Sequence, residues 1–168
     1  THRFYIGVAS LEYDDIRLAA SNALKAIGEK NYKSAKIGTY IHKCGVFSLQ
    51  AMSEGFLLGN YKFEKYKNKK SEQKLSKVII CLDDYDNKEL SLEHAQKYLA
   101  NSVILCEATN LTKQTVNSTP DDITPKKFAK LSIDVADKIP DLTCDVYDER
   151  FLKKHKMGAF LAVTRANK

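Results

Sequence analysis

Apolar, β-prone runs alternate with helix-forming segments along the first half of the chain, and this alternation constrains the fold more than any other feature. The clearest run is Lys77–Leu82, which contains several β-branched residues. Phe4–Ala9 and Ala35–Ile41 are predicted as two further strands. Strands that are separated by helices pair in parallel through right-handed crossovers. The sequence therefore predicts an α/β fold in which helices flank a mainly parallel sheet.

Hydrophobic spacing predicts the helices between these strands. In the first helix, apolar residues recur every three or four positions and so share one face. They are Ile16, Ala20, Ala23, Leu24 and Ile27. Asp14 and Asp15 lie in its first turn, where the helix dipole favours negative charge. A second helix is predicted over Val46–Gly59.

A third and much longer helix is predicted from Ser91 to Thr115. Ser91 is a favourable N-cap, and Glu93 lies in the first turn. At 1.5 Å per residue such a helix is about 36 Å long, which is sufficient to bridge two domains. The sequence thus predicts a helical connection to a second unit.

Asn117–Pro125 is predicted to be a linker because it contains two prolines and two aspartates. A helix restarts at Thr124, since threonine caps a helix and the following proline is tolerated at the first helical position. Pro140 marks the end of this helix. The remaining predicted elements are a strand over 142–147, a short helix over 148–156 and a strand over 159–163. A second α/β unit therefore begins here.

Composition and cysteine usage favour a reducing, cytosolic environment. Hydrophobic residues make up 43% of the chain and charged residues 29%, as in ordinary globular proteins. No apolar run approaches the roughly 20 residues that span a bilayer. The four cysteines are spread along the chain without a CxxC pair, which favours reduced thiols over a disulfide framework. They are Cys44, Cys81, Cys106 and Cys144.

Four sequence blocks carry a resemblance to a known family. Glu54–Lys67 is similar to a Glu-Gly, Leu-Gly-x-Tyr-x-Phe pattern, and Val116–Ala129 to a Val-Asn, Thr-Pro pattern. Val146–Val163 is similar to a Met-Gly, Leu-Ala-Val element, and Ile16–Ala20 to an early Leu-Arg-x-Ala-Ala helix. All four resemble the leucyl aminopeptidase (cytosol aminopeptidase) family in its own order. The chain is identified as an N-terminal portion of a family member.

The residues that match the family patterns are predicted to be structural. They are Arg17, Glu54, Gly55, Gly59, Tyr61, Phe63, Asn117, Pro120, Thr124, Pro125, Met157 and Gly158. The sequence departs from the family at Asp122, where asparagine is usual, and after Val163, where glycine and serine are usual. These departures affect loop detail only.

The resemblance also implies a domain organisation and an activity. Residues 1–90 would form part of a macro-like assembly domain, 91–122 a linker helix and loop, and 123–168 the start of the peptidase catalytic domain. The parent enzyme would be a cytoplasmic homo-hexamer that removes N-terminal residues from peptides. Two divalent ions, manganese or zinc, would activate the attacking water.

The family's metal ligands come from a Lys-x-x-Met-Asp block and an Asn-Thr-Asp-Ala-Glu-Gly-Arg block. Neither block occurs in this sequence. We therefore expect no catalytic residue, no metal ligand and no cofactor in these 168 residues, and no peptidase activity from them alone. A start at Thr1 without methionine further suggests a piece of a longer protein.

A basic segment, Lys62–Lys77, leaves two other functions open. It contains seven lysines and two glutamates, with aromatic residues interleaved. Such a pattern can bind DNA through stacking and phosphate contacts, and some members of the resembled family bind DNA. The candidate contacts are Lys65, Lys67, Lys69 and Lys70. Solvated lysines over packed aromatics are the simpler interpretation. A catalytically inactive scaffold is the remaining alternative.

Overall fold

The computed structural model describes residues 2–30, 32–38, 47–71, 75–82 and 91–164, and these residues form six helices and two strands. The elements are α1 (Tyr13–Glu29), β1 (Ser34–Gly38), α2 (Phe47–Gly59), β2 (Lys77–Cys81), α3 (Leu92–Val116), α4 (Pro125–Ala136), α5 (Glu149–Lys154) and α6 (Gly158–Thr164). They fall into two compact units, Thr1–Asn117 (unit 1) and Ser118–Lys168 (unit 2).

The core of unit 1 lies where α2 packs against α1 on one side and α3 on the other. The five residues predicted for the apolar face of α1 are all buried. Helix α2 is buried through most of its length because it has a neighbour on both sides. Its Ala51, Met52 and Phe56 join the α1 residues in one apolar cluster. The predicted amphipathic face of α1 is confirmed, and a helix is present where the second was predicted.

The two strands pair in parallel, as the alternation with helices predicted. Ser34 lies opposite Lys77 and Gly38 opposite Cys81. Ala35, Ile37 and Val78 pack against the helical cluster, so the helices cover one face of the sheet. The end of the predicted strand Ala35–Ile41 lies outside the described residues. The α/β arrangement is thus present in a small sheet.

The prediction of a strand over Phe4–Ala9 was wrong. This segment is irregular, although Phe4 and Ile6 pack partly against the core while Tyr5 between them is 87% exposed. The alternation of inward and outward side chains is therefore real. It reflects packing on the helices rather than backbone pairing, which needs a partner strand in register.

Two strands predicted in unit 2 were also wrong. Residues 142–147 are irregular, and the predicted strand over 159–163 lies within helix α6. No strand occurs among the residues of unit 2 that the structure describes. A strand needs a partner strand in register, whereas a helix forms its hydrogen bonds within its own segment.

Two helices start at the caps predicted for them, Ser91 and Thr124, whereas α4 ends at Ala136 rather than at Pro140. The Ser91 hydroxyl accepts a hydrogen bond from the His94 amide at the start of α3 (3.2 Å). Thr124 caps α4 in the same way, with Pro125 in the first turn. The Asp148 carboxylate accepts from the Phe151 amide at the start of α5 (3.0 Å).

No helix in the described part of the chain is long and apolar enough to cross a membrane.

Helix α5 ends in a Schellman motif that contains lysine where glycine is usual. Lys156 adopts a left-handed backbone conformation with φ of 54°. Its amide donates to the Lys153 carbonyl (3.1 Å), and the Met157 amide donates to the Leu152 carbonyl (3.0 Å). These two bonds define the motif, and its left-handed residue is usually glycine because a Cβ is strained there.

Replacing Lys156 with glycine should therefore stabilise the protein by about 1 kcal/mol, since the strain of the side chain is relieved. The change is measured as a shift of the urea midpoint. Lys154→Gly is the matched control, because Lys154 is the last residue of α5 and glycine in a helical conformation should destabilise, by up to about 1 kcal/mol. Equal midpoints for the two variants would contradict the prediction.

Candidate functional site

An ion pair between Arg17 and Glu54 joins α1 to α2 inside unit 1. Glu54 is only 5% exposed. Its Oε2 atom accepts hydrogen bonds from Arg17 Nε (3.1 Å) and Arg17 Nη2 (2.8 Å). Its Oε1 atom accepts from Gln50 Nε2 (2.8 Å), one helical turn earlier. The buried carboxylate is thus bonded through both oxygens.

The surroundings of Glu54 keep its carboxylate ionised. Burial by itself would raise its pKa, but hydrogen bonds from Gln50, Tyr13 and Arg17, together with the charge of Arg17, outweigh burial and hold the pKa below its usual value. The Arg17 guanidinium also lies 4.6 Å from the centroid of the Tyr13 ring. A general base needs a pKa near the working pH and an accessible oxygen. Glu54 therefore suits a structural role.

Two glycines allow α1 and α2 to approach closely. A Cβ on Gly55 would lie 2.3 Å from the Arg17 carbonyl oxygen and 2.7 Å from Ala20 Cβ. A Cβ on Gly59, one turn later, would lie 2.5 Å from Ser21 Oγ. Both positions thus face the backbone of α1. The Glu-Gly pattern places the ion pair and the close contact side by side.

Tyr61 follows α2 and reaches the last turns of α3. Its hydroxyl donates to Gln114 Oε1 (3.3 Å) and accepts from Asn117 Nδ2 (3.5 Å). The Lys113 ammonium group lies 5.3 Å from the centroid of its ring. The loop after α2 is therefore tied to the end of α3.

Residues 62–71 of the basic segment form a loop with internal partners. The Glu64 carboxylate accepts from the Ser71 amide (3.0 and 3.1 Å). Hydrogen bonding from the Ser71 side chain and, after it, from the Ser71 amide lowers the pKa of Glu64. Lys62 Nζ donates to Ser71 Oγ (3.0 Å), and Lys67 pairs with Glu64 (3.6 Å).

The aromatic rings of this loop are engaged as well. The rings of Phe63 and Tyr66 meet edge to face at 5.5 Å. All four candidate nucleic-acid contacts, Lys65, Lys67, Lys69 and Lys70, are exposed. Lys65 Nζ lies 5.5 Å from the Tyr66 ring centroid. DNA binding by this segment stays a prediction.

The remaining residues singled out from the sequence lie at turns and helix ends. Asn117 follows the last residue of α3, and Pro120 lies in the turn before α4. Thr124 and Pro125 start α4, whereas Met157 and Gly158 lie at the start of α6. The structural role expected for these residues stays a prediction.

Sequence reasoning missed the groups that complete these contacts. Gln50 lies four residues before Glu54 on α2, a spacing at which helical side chains meet and which could have revealed it. Gln114 and Lys113 lie 53 and 52 residues after Tyr61. Such pairings depend on the tertiary fold, and no local signal predicts them.

The described residues do not fit a metal centre. They contain no group of three or more histidine, cysteine, aspartate or glutamate side chains that could hold a metal ion. Cys81, Cys106 and Cys144 are not joined in disulfides, and burial raises the pKa of the Cys106 thiol. No catalytic step through a metal can be derived from these side chains.

Comparison with known proteins gives consistent matches. The profile of the cytosol aminopeptidase family, catalytic domain, matches residues 110–168. A probable cytosol aminopeptidase of Campylobacter jejuni is 40% identical over 165 residues, which is 98% of this chain and 34% of that protein. One from Wolinella succinogenes is 39% identical over 163 residues, or 97% of this chain and 33% of that protein. The chain spans about a third of the length of these relatives.

Solved structures agree at the level of the fold. A tomato leucine aminopeptidase mutant matches with a TM-score of 0.76 and 18% identity, over 89% of this chain and 30% of that chain. The bottromycin maturation enzyme BotP in complex with Mn matches with a TM-score of 0.62 and 20% identity, over 79% of this chain and 27% of that chain. At these identities the likeness concerns the fold alone.

Proposed function

Because the chain belongs to the cytosol aminopeptidase family, we propose that it is the N-terminal portion of a metal-dependent enzyme that removes N-terminal residues from peptides. The observation that carries this proposal is the 40% identity with a probable cytosol aminopeptidase across 98% of the chain. That relative is about three times as long, since the chain covers 34% of it. The activity therefore belongs to the longer protein.

We propose a division of roles along the chain. Residues 1–90 would form part of a macro-like assembly domain, 91–122 the linker helix and loop, and 123–168 the start of the catalytic domain. The ion pair between Arg17 and the buried Glu54, together with the close contact at Gly55, supports an architectural role for the first part. The catalytic-domain profile, which matches from residue 110 onward, supports the last. The parent enzyme would be a cytoplasmic homo-hexamer.

Two divalent ions, manganese or zinc, would supply an activated water and polarise the scissile carbonyl in the parent enzyme. We propose that their ligands lie outside these 168 residues, because the two ligand-bearing blocks of the family are missing from the sequence. BotP, which shares the fold, was solved in complex with Mn. The part of this chain that the structure describes offers no comparable cluster of ligands.

A chimera would test the proposal directly. These 168 residues would replace the corresponding third of the Campylobacter jejuni relative, and hydrolysis of leucine p-nitroanilide would be followed with manganese or zinc. We expect hydrolysis that is abolished by a chelator, while the 168 residues alone give none. The unmodified relative is the positive control.

Two results would contradict the proposal. One is metal-dependent hydrolysis by the 168 residues alone, because the ligands would then lie within them. The other is a chimera that folds like the unmodified relative, judged by circular dichroism and sedimentation, but remains inactive.

DNA binding and scaffolding stay as alternative proposals. Contacts with phosphate groups release counterions and weaken steeply as salt is raised. A DNA titration over a salt series therefore distinguishes a nucleic-acid module, which would show this dependence, from an assembly domain or a scaffold, which would not.

A further inference from the structure

The loop after α2 and the last turns of α3 meet at a single side chain. Asn117 Nδ2 donates to the Tyr61 hydroxyl (3.5 Å), which in turn donates to Gln114 Oε1 (3.3 Å). Hydrogen bonds that run in series polarise and strengthen one another. The hydroxyl therefore acts as donor and acceptor at once, in a way that a phenylalanine could not reproduce.

The same ring is held from a second direction. Lys113 Nζ lies 5.3 Å from its centroid, within the range of a cation–π contact. Lys113, Gln114 and Asn117 span the last turn of α3 and the residue that follows it. Tyr61 thus contacts the helix end through three different side chains.

The loop that carries Tyr61 is itself constrained. Glu64 and Lys62 both bond to Ser71, which closes the loop from residue 62 to residue 71. On its other side, the amide of Tyr61 donates to the Leu58 carbonyl of α2 (3.3 Å). A side chain fixed at both flanks loses little further conformational entropy when it binds, so it can hold the helix end effectively.

The contact between Tyr61 and the end of α3 lies where unit 1 ends. Unit 1 ends at Asn117, and the family's catalytic-domain profile already matches from residue 110. The three partners of Tyr61 therefore belong to the part of the chain that matches the catalytic domain, whereas Tyr61 precedes that part by about fifty residues.

We propose that Tyr61 is a positioning residue, whose hydroxyl fixes the last turn of α3 and so sets where the chain leaves unit 1 for the catalytic domain. The inference rests on the contacts within unit 1 and deepens the proposed function. It is tested on the chain itself, so its failure and the failure of a peptidase assay are distinguishable.

Amide hydrogen exchange of Tyr61→Phe tests the proposal. The variant keeps the ring and its contact with Lys113 but removes the hydroxyl. We expect the amides of Thr115, Val116 and Asn117 to exchange about three to ten times faster, because the loss of a hydrogen bond promotes local opening. The amides in the middle of α2 should keep their wild-type rates. Tyr5→Phe is the control, since that hydroxyl lies on a side chain that is 87% exposed.

Variants of Gln114 separate the hydrogen bond from general packing. Gln114→Glu keeps an acceptor for the hydroxyl and should retain the wild-type protection. Gln114→Leu removes the acceptor and should speed exchange at the same amides, by no more than Tyr61→Phe, which also loses the bond from Asn117. Adding Gln114→Leu to Tyr61→Phe should have little further effect, because the bond is already broken.

Two outcomes would overturn the proposal. Rates at 115–117 that stay within about two-fold of wild type in Tyr61→Phe would show that the hydroxyl does not hold the helix end. A uniform acceleration through α1, α2 and α3 would show that Tyr61 supports the global stability of unit 1 instead.

Discussion

Replacing Gly55 with alanine is expected to destabilise the protein by about 3 kcal/mol or more, although alanine is the better helix former. The added Cβ would lie 2.3 Å from the carbonyl oxygen of Arg17 and 2.7 Å from Ala20 Cβ. Both obstacles are close to the backbone of α1, so no flexible side chain can move aside. Helices α1 and α2 would have to separate, which would also lengthen the bonds between Arg17 and Glu54.

A second helical glycine supplies the matched control. Gly28 lies near the end of α1, and a Cβ there would meet nothing within 4 Å. Gly28→Ala should therefore be neutral or stabilising by about 0.5 to 1 kcal/mol. Urea unfolding followed by circular dichroism measures both variants. If Gly55→Ala unfolded at the same urea concentration as Gly28→Ala, the close contact at Gly55 would not contribute to the stability of the protein.

Removal of the Glu54 carboxylate is the second large effect that we expect. Glu54→Leu leaves Arg17 without its buried acceptor and should cost about 2 to 4 kcal/mol. The cost is limited because the Arg17 side chain is 35% exposed and also bonds to Asp14 (2.8 Å). The double variant Arg17→Met with Glu54→Leu should recover much of the loss, since an apolar pair of similar size replaces the ion pair. A double variant no more stable than Glu54→Leu would argue against this account.

The same pair makes stability depend on pH. The pKa of Glu54 is lowered in the folded protein from its usual 4.5. The stability that it contributes is therefore fully present above pH 4.5 and is lost as the pH falls through the lowered pKa. We expect wild type to lose more stability on acidification than the double variant. The free energy of unfolding of both proteins would be measured by urea titration over the acid range. An equal loss in wild type and in the double variant would contradict the assignment of this pH dependence to Glu54.

Local features of this fold could be predicted from the sequence. The apolar spacing of α1 and the caps at Ser91 and Thr124 act within one or two helical turns, and the structure confirms them. The strand over Phe4–Ala9 was predicted from its residue pattern, but a strand also needs a partner in register, which the pattern does not contain. The same limit applies at 159–163, where the residue pattern predicted a strand and the structure has a helix over 158–164.

The candidate site was predictable only in part. The Glu-Gly pattern marked Glu54 and Gly55 as important, but it did not show that Arg17 is the partner, because the two charges are 37 residues apart in sequence. The role of Gly55 became clear only from the distance to α1. A glycine needed for close approach and one such as Gly28 look alike in a sequence.

Helix α3 runs without interruption through residue 110, where the sequence match to the catalytic domain begins. A recombination event at that point would leave most of this helix on one side and only its last two turns on the other. The short piece could not hold its helical form by itself, and Tyr61 would face a foreign helix end. Breakpoints that survive selection should therefore fall after Asn117, between the two compact units, rather than where sequence similarity starts.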